Sequence, residues 1–286
     1  MAKTKSILLL GATGGVGEEA AKILLEKGYY VIANYRKPEQ KEQLESKGLC
    51  DMTVRLDLAD ISSIESAFQS MEEAGIRELS GIINCAAIQI AAPLEEVSMD
   101  EVNHIFSTNV FGTLRVVQLA IPMLRPCKGR IVLCGSLAGS FVMPLTGIYS
   151  ASKYALEAIV DALRRELFPW GIKVALVKPG SIDTRMFRGH IDNMVAAFEK
   201  SKQDGSPYAP QYEAQIKQIP KTQSKIMGTT PEEVAEICLD ALECKNPKPR
   251  YFPSFESKAT RLLTPILPDK VLDKLSEKVF FPLDDN

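Results

Sequence analysis

Histidine and tryptophan are scarce in this chain: His104 and His190 are its only histidines, and a single tryptophan serves all 286 residues. Six cysteines (Cys50, Cys85, Cys127, Cys134, Cys238, Cys244) lie scattered with no C-x-x-C pair. With so few histidines beside them, the spacing predicts no metal site. In a chain of this length the same scatter argues against a disulfide framework and for a reducing compartment. Neither sign of charge dominates, and a formal net charge of -2 gives no general pull toward nucleic acid or an anionic membrane. No apolar run approaches the ~18–20 residues that cross a bilayer. The short apolar run at 7–10 is too brief for a signal segment and ends in a glycine turn. The expected location is the cytoplasm, with peripheral membrane contact left open. Linkers and low-complexity breaks are also missing, which predicts one domain over 1–286.

What is present is alternation. Short apolar segments at 7–10, 29–34, 52–56, 81–84, 130–134 and 173–177 read as strands. Amphipathic stretches at 16–27, 61–74, 99–124 and 149–168 read as helices between them. Strand, helix, strand repeated in this way predicts an α/β fold: a doubly wound, mostly parallel sheet covered on both faces. After Pro179 the chain turns polar. Residues 185–228 carry helix-like pieces near 191–200 and 211–219, and a connection of this length is expected to act as a lid over a substrate. Thr230, Pro231, Glu232 and Glu233 then open another helix. The segment "RYFPSF" reads as a last strand. The tail, 256–286, reads as helices broken near Pro265 and Pro268. Its apolar stripe (Leu262, Leu263, Ile266, Leu267, Val271, Leu272, Leu275) is expected to pack over the pocket or a neighbouring subunit, with membrane docking the alternative.

Two stretches carry chemistry. In "LLLGATGGVGEEAAKILLEKG", residues 8–28, the glycines fit G-x-x-x-G-x-G through Gly11, Gly15 and Gly17. They also fit G-x-x-G-x-x-G through Gly11, Gly14 and Gly17. Either spacing makes a strand-to-helix turn that points backbone N–H groups at a pyrophosphate. A third match through Gly15, Gly17 and Ala20 starts too late for a strand ending at Leu10. The second stretch, "GRIVLCGSLAGSFVMPLTGIYSASKYALEAIVDALRREL", places Ser136 just beyond a strand, Tyr149 thirteen residues on and Lys153 four further. Helix positions i and i+4 share a face, so a phenol and an ammonium project into the same space. A cation beside a phenol favours phenolate, which suits general acid–base work near neutral pH.

Together these residues resemble the short-chain dehydrogenase/reductase family of the Y-x-x-x-K type, over about residues 6–243. The resemblance implies a Rossmann-fold oxidoreductase and selects the Gly11, Gly15, Gly17 spacing. The longer, extended members use the other spacing and usually have a larger C-terminal substrate region. It implies a catalytic set of Asn109, Ser136, Tyr149 and Lys153. Asn109, in "STNVFG", matches a helix asparagine whose backbone distortion holds a water near the lysine. It further implies cofactor contacts from the turn (Gly11, Thr13, Gly14, Gly15, Val16, Gly17), the adenine-pocket pair Asp57 and Leu58, and Asn84 and Ala86 of "NCAA". In "KPGSIDT", Pro179, Gly180, Ile182 and Thr184 would flank the nicotinamide, while Tyr149 and Lys153 would reach its ribose. Leu10, Cys85 and Ala87 depart from the family's usual Thr, Asn and Gly. None of these exchanges removes a reacting group.

The second strand ends "VIANYRKPEQ", with no acid before Glu39 and with Arg36 and Lys37 where the adenosine ribose would lie. This predicts preference for NADP(H), with NAD(H) the alternative. Leu137, Met143, Leu145 and Phe187 are the expected substrate wall. Their apolar character, with the "DTRMF" and "LLTPILPDKVLDKL" segments, resembles the hydroxysteroid and retinol dehydrogenase-like branch and implies a bulky apolar alcohol or ketone. A 3-oxoacyl reductase is the enzyme alternative. A dinucleotide-sensing regulator is the alternative of another class, although such proteins commonly lack the Tyr or Lys. The family also implies a homodimer or homotetramer, paired through the helices that carry Asn109 and Tyr149. His104 is read as a surface or core residue, and His190 as facing solvent or substrate.

Overall fold

A computed structural model describes residues 5–226 and 229–280, with side chains throughout except 218–226, 275 and 278–280. Leu275 of the tail stripe therefore lies outside the described side chains, and 281–286 outside the described residues.

The strands form where short apolar, β-branched-rich runs can be buried on both faces, as parallel central strands require. They are β1 (Ser6–Leu10), β2 (Tyr30–Tyr35), β3 (Met52–Arg55), β4 (Gly81–Asn84), β5 (Arg130–Cys134), β6 (Lys173–Val177) and β7 (Arg250–Tyr251). All pair in parallel, in the order β3-β2-β1-β4-β5-β6-β7. The order reverses between β1 and β4. In an open α/β sheet the crevice above the carboxyl ends at such a reversal is where ligands bind.

Eleven α-helices are assigned in chain order among the described residues: α1 (Gly15–Glu26), α2 (Pro38–Ser46), α3 (Ile61–Glu73), α4 (Met99–Phe106), α5 (Thr113–Leu124), α6 (Gly147–Glu166), α7 (Arg185–Asp204), α8 (Ala209–Ile226), α9 (Pro231–Glu243), α10 (Phe255–Leu263) and α11 (Asp269–Phe280). One face of the sheet is covered by Ile64 and Met71 of α3, Val116 and Ala120 of α5, and Leu156 and Val160 of α6. The other is covered by Ala20 and Leu24 of α1, Leu44 of α2, and Val234, Cys238 and Leu242 of α9. This is the doubly wound single domain expected from the alternation.

Several boundaries differ from the sequence reading. The expected helix over 99–124 is broken into α4 and α5 by a π-helical segment, Ser107–Gly112. Its last residue, Gly112, packs against the loop after β3: a Cβ there would stand 1.9 Å from the Leu58 carbonyl oxygen, so only glycine permits this approach of helix to loop. Helix α2 has no strong periodic signal and is not among the expected helices. The last strand is only two residues long, because Pro253 and the Ser254 cap turn the chain into α10. The polar excursion folds into two long helices, α7 and α8, rather than two short pieces. They are joined at Gly205, whose φ of 66° ends α7 in the left-handed region. In the tail, α10 and α11 are separated near Pro265 and Pro268 as expected, and Leu262, Leu263 and Ile266 remain exposed.

Candidate active site

The site begins at the turn after β1. Gly11 takes a φ of 84°, and its N–H donates to Asn34 Oδ1 at 2.8 Å. Asn34, the next-to-last residue of β2, also donates through Nδ2 to the Leu56 carbonyl at 2.9 Å. One buried amide thus ties the ends of β1, β2 and β3. A Cβ on Gly17 would sit 2.1 Å from the Gly11 carbonyl oxygen, so the helix can start this close to the turn only as glycine. Gly14 caps α1 with no side-chain cap, leaving the first-turn amides to face outward. A Cβ on Gly15 would meet Thr184 Cγ2 at 3.1 Å, which places the "KPGSIDT" segment across the mouth of the turn. These features fit a dinucleotide: a helix N-terminus and a shallow cradle that side chains would fill, with no acid among residues 11–17 and Glu18 of the first helical turn held by Lys47.

The rest of the expected contact set converges on the same edge of the sheet. Gly11 packs against Ala86 and Cys85, where a Cβ would come within 2.9 Å of Ala86 N. Asn84 folds back to accept the Ala86 N–H at 2.9 Å and donates to Thr113 Oγ1 at 3.0 Å. Asp57 is held by Ser63 and receives the Ala59 N–H, and Leu58 is buried beside Gly112. Pro179 accepts from the Leu137 N–H at 2.9 Å, linking the "PG" segment to the residue after Ser136. Ile182 is buried, and Thr184 caps α7 by accepting the Phe187 N–H. Thr13 and Val16 are half-buried in the turn. Arg36 and Lys37 are exposed directly beyond β2. The Arg36 guanidinium meets no carboxylate among the described residues.

Tyr149 and Lys153 lie on the inner face of α6, both almost wholly buried. The Lys153 ammonium stands 5.6 Å from the Tyr149 ring centroid and donates to the Cys134 carbonyl at 3.1 Å. Tyr149 packs with Ala138 and Ile105, while Ile88, Ile90, Phe106 and Ile148 surround them. Ser136 caps a short 3-10 turn, Leu137–Gly139, and accepts the Ala138 N–H at 3.1 Å. Asn109 sits inside the π-helical segment. It accepts the Ile88 N–H and donates both to the Ile88 carbonyl and to Ser152 Oγ. Ser152, one residue before Lys153, passes the contact to α6 through the Tyr149 carbonyl at 2.7 Å. One turn beyond Lys153, Glu157 pairs with Lys178 and Arg250 and pins α6 to β6 and β7. Burial pulls the Lys178 ammonium below its usual range.

The substrate-side residues are less tightly grouped. Leu145 is buried at a φ of 61°, an uncommon left-handed conformation for a branched residue, and packs with Met194 of α7 and Tyr212 of α8. Leu137, Met143 and Phe187 are half-buried. His190, expected to face solvent or substrate, is 8 % exposed and so is turned away from solvent, with Nε2 3.3 Å from Gln89 Nε2 and Nδ1 buried without a hydrogen-bond partner among the described residues. Burial pushes its pKa down to about 4. His104 is exposed. The residues that sequence reasoning missed are Asn34, Gln89, Ser152 and the Glu157–Lys178 pair. Only Asn34 left a signal, as a polar residue inside the apolar run "VIANY".

The profile of the short chain dehydrogenase family matches residues 5–194. The chain is 34% identical over 272 residues to the uncharacterised oxidoreductase YbbO of Escherichia coli K12, covering 95% of this chain and 93% of that one. It is 30% identical over 281 residues to an NADPH-dependent 3-dehydrocapnine reductase of Ornithobacterium rhinotracheale, covering 95% of each. To a 17-beta-hydroxysteroid dehydrogenase type 6 of Rattus norvegicus it is 29% identical over 282 residues, covering 95% of this chain and 87% of the other. The chain belongs to the short-chain dehydrogenase family. It is an oxidoreductase of the NAD(P)-dependent kind that acts on CH–OH groups.

Proposed function

We propose that the protein interconverts a bulky apolar alcohol and its ketone or aldehyde, of steroid, retinoid or other lipid type, with preference for NADP(H). The observation that carries this reading is the buried Tyr149–Lys153 face of α6, braced by Cys134 below and by Asn109 through Ser152. A bound nicotinamide dinucleotide supplies or accepts the hydride. Gly11, Gly14, Gly15 and Gly17 would hold its pyrophosphate, Arg36 and Lys37 the 2′-phosphate, and Lys153 the ribose. Tyr149 gives or takes the proton at its phenolic oxygen. Ser136 hydrogen-bonds the substrate oxygen, and the Lys153 ammonium lies beside the Tyr149 ring, 5.6 Å from its centroid. Asn109 positions the relay.

The apolar neighbours of Tyr149 (Ile88, Ile90, Phe106) and the Leu145–Met194–Tyr212 cluster support an apolar substrate enclosed by α7 and α8 as a lid. The names of two relatives, an NADPH-dependent reductase and a hydroxysteroid dehydrogenase, point the same way. Exposed Phe111 beside α5 and Tyr154 on α6 support self-association through these helices; sedimentation of Phe111→Glu tests it. The central experiment follows oxidation of NADPH and NADH with a panel of steroid ketones, retinal and 3-oxoacyl thioesters. Turnover of the apolar ketones with NADPH is expected. Turnover of thioesters alone would favour the 3-oxoacyl reductase, and no turnover with any of them would remove the reading.

A further inference from the structure

Six scattered cysteines offer no metal motif along the chain, yet folding brings three of them to one point. Cys85 follows β4 and Cys134 ends β5. The register Asn84↔Leu133 continues by one step to set them side by side on parallel strands. Their sulfurs lie 3.4 Å apart. Cys238, fully buried on α9, brings its own sulfur within 3.8 Å of Cys134. All three ligand atoms fall within 4.8 Å of one another.

We propose that Cys85, Cys134 and Cys238 form a binding site for one thiophilic divalent cation, Zn²⁺ or its heavier analogue Cd²⁺. Thiolate bonds to zinc of about 2.3 Å imply sulfur–sulfur edges of about 3.8 Å in a tetrahedral arrangement. The two edges to Cys134, 3.4 and 3.8 Å, lie within a few tenths of an ångström of that value, and the third is within 4.8 Å. A disulfide between Cys85 and Cys134 would need its sulfurs at about 2.05 Å and would leave the third sulfur unused. The donor set is wholly soft, with neither imidazole nor carboxylate, which selects against Mg²⁺ and Ca²⁺. Three thiolates around a divalent cation carry a net charge of -1. The Lys153 ammonium, held on the Cys134 carbonyl, lies close enough to balance it. Cys85 and Cys134 are half-buried, while Cys238 is buried. Binding joins the ends of two strands to α9, next to the Gly11 turn.

The test titrates full-length, reduced, metal-free protein with Cd²⁺ and follows thiolate-to-cadmium charge-transfer absorption. One equivalent should saturate the signal, and Zn²⁺ should compete it away. Cys238→Ser and Cys238→Ala should each weaken binding roughly 100-fold or more, since even changes outside the ligand shell cost about 10–100-fold. Cys127→Ser, at an exposed site, should leave it unchanged. In the wild type, Cd²⁺ should protect Cys85 and Cys134 from maleimide labelling, a readout that needs no variant to fold. The proposal is overturned if no 1:1 signal forms, if it survives both Cys238 variants, if it is lost in Cys127→Ser, or if labelling is not slowed.

Discussion

Asn109 and Ile88 are joined twice: the Ile88 N–H donates to Asn109 Oδ1 at 2.9 Å, and Asn109 Nδ2 donates to the Ile88 carbonyl at 2.9 Å. The segment after β4 is thereby clamped to the π-helical turn, and the same amide reaches Ser152 on α6. Asn109→Ala strands both Ile88 main-chain groups in a half-buried setting, at a cost of about 1–3 kcal/mol per unsatisfied group. Thermal unfolding should therefore begin at a lower Tm. Turnover should fall more than cofactor affinity. A variant with unchanged Tm would show that the clamp adds nothing to stability.

Tyr149→Phe keeps the ring packed against Ala138 and Ile105 and removes only the hydroxyl. Proton transfer by a positioned side chain contributes ~10²–10⁴-fold, so kcat should drop by about that factor. NADPH binding, measured by fluorescence, should stay near wild type. Turnover within threefold of wild type would exclude Tyr149 as the acid–base.

Arg36 stands exposed just beyond β2, where the proposed reading puts the adenosine ribose. A charge-assisted contact with a phosphate contributes roughly 1.5–3 kcal/mol, so NADPH should be preferred by about tenfold to a hundredfold in kcat/KM. Arg36→Ala should erase most of that preference. A wild type that favours NADH, or a preference unaltered in the variant, would remove Arg36 from this role.

His190 is held neutral by burial, with its pKa at about 4 against about 6.5 when unfolded. Between those values the unfolded chain binds more protons, so stability rises with pH there. The contribution is complete above about pH 6.5 and is lost as pH falls toward 4. Its ceiling is roughly 3 kcal/mol, since each tenfold change in proton affinity corresponds to about 1.4 kcal/mol. Urea unfolding at pH 7 and 4.5 should show a smaller loss on acidification in His190→Gln than in wild type. Equal losses would mean that His190 does not carry this dependence.

The helices α7 and α8 rest on the active-site loops through few contacts. Gln215 donates to the Pro144 carbonyl at 2.7 Å, Tyr208 to Glu95 at 2.5 Å, and Met194 and Tyr212 pack on Leu145. A pair so attached can open without disturbing the sheet. Amide exchange over 185–217 should slow when cofactor and substrate are both present. Identical exchange in the free and ternary states would rule out a lid.

The sheet was readable because parallel central strands must be apolar on both faces, which leaves short uninterrupted runs in the sequence. Strands β1 to β6 all fall within one residue of expectation at each end for this reason. The spacing of Tyr149 and Lys153 was readable because a helix repeats every 3.6 residues whatever surrounds it. The π-helical segment left no mark in the periodicity, and only the resemblance at Asn109 implied a distortion there; the close approach of Gly112 to the Leu58 carbonyl joins distant parts of the chain. The lengths of α7 and α8 were hidden because their polar faces dilute the periodic signal.

The sequence by itself determined the alternation of strand and helix, the glycine turn and the spacing of Ser136, Tyr149 and Lys153, all of which rest on local chemistry at short spacing. Only the tertiary structure decided that Asn34 braces Gly11, that Ser152 links Asn109 to α6, that His190 is buried, and that Cys85, Cys134 and Cys238 meet. Those relations join residues up to 153 positions apart, between Cys85 and Cys238. Such pairs leave no period in the chain. They follow from strand register and from which helix covers which face, and both are set by packing the whole core at once.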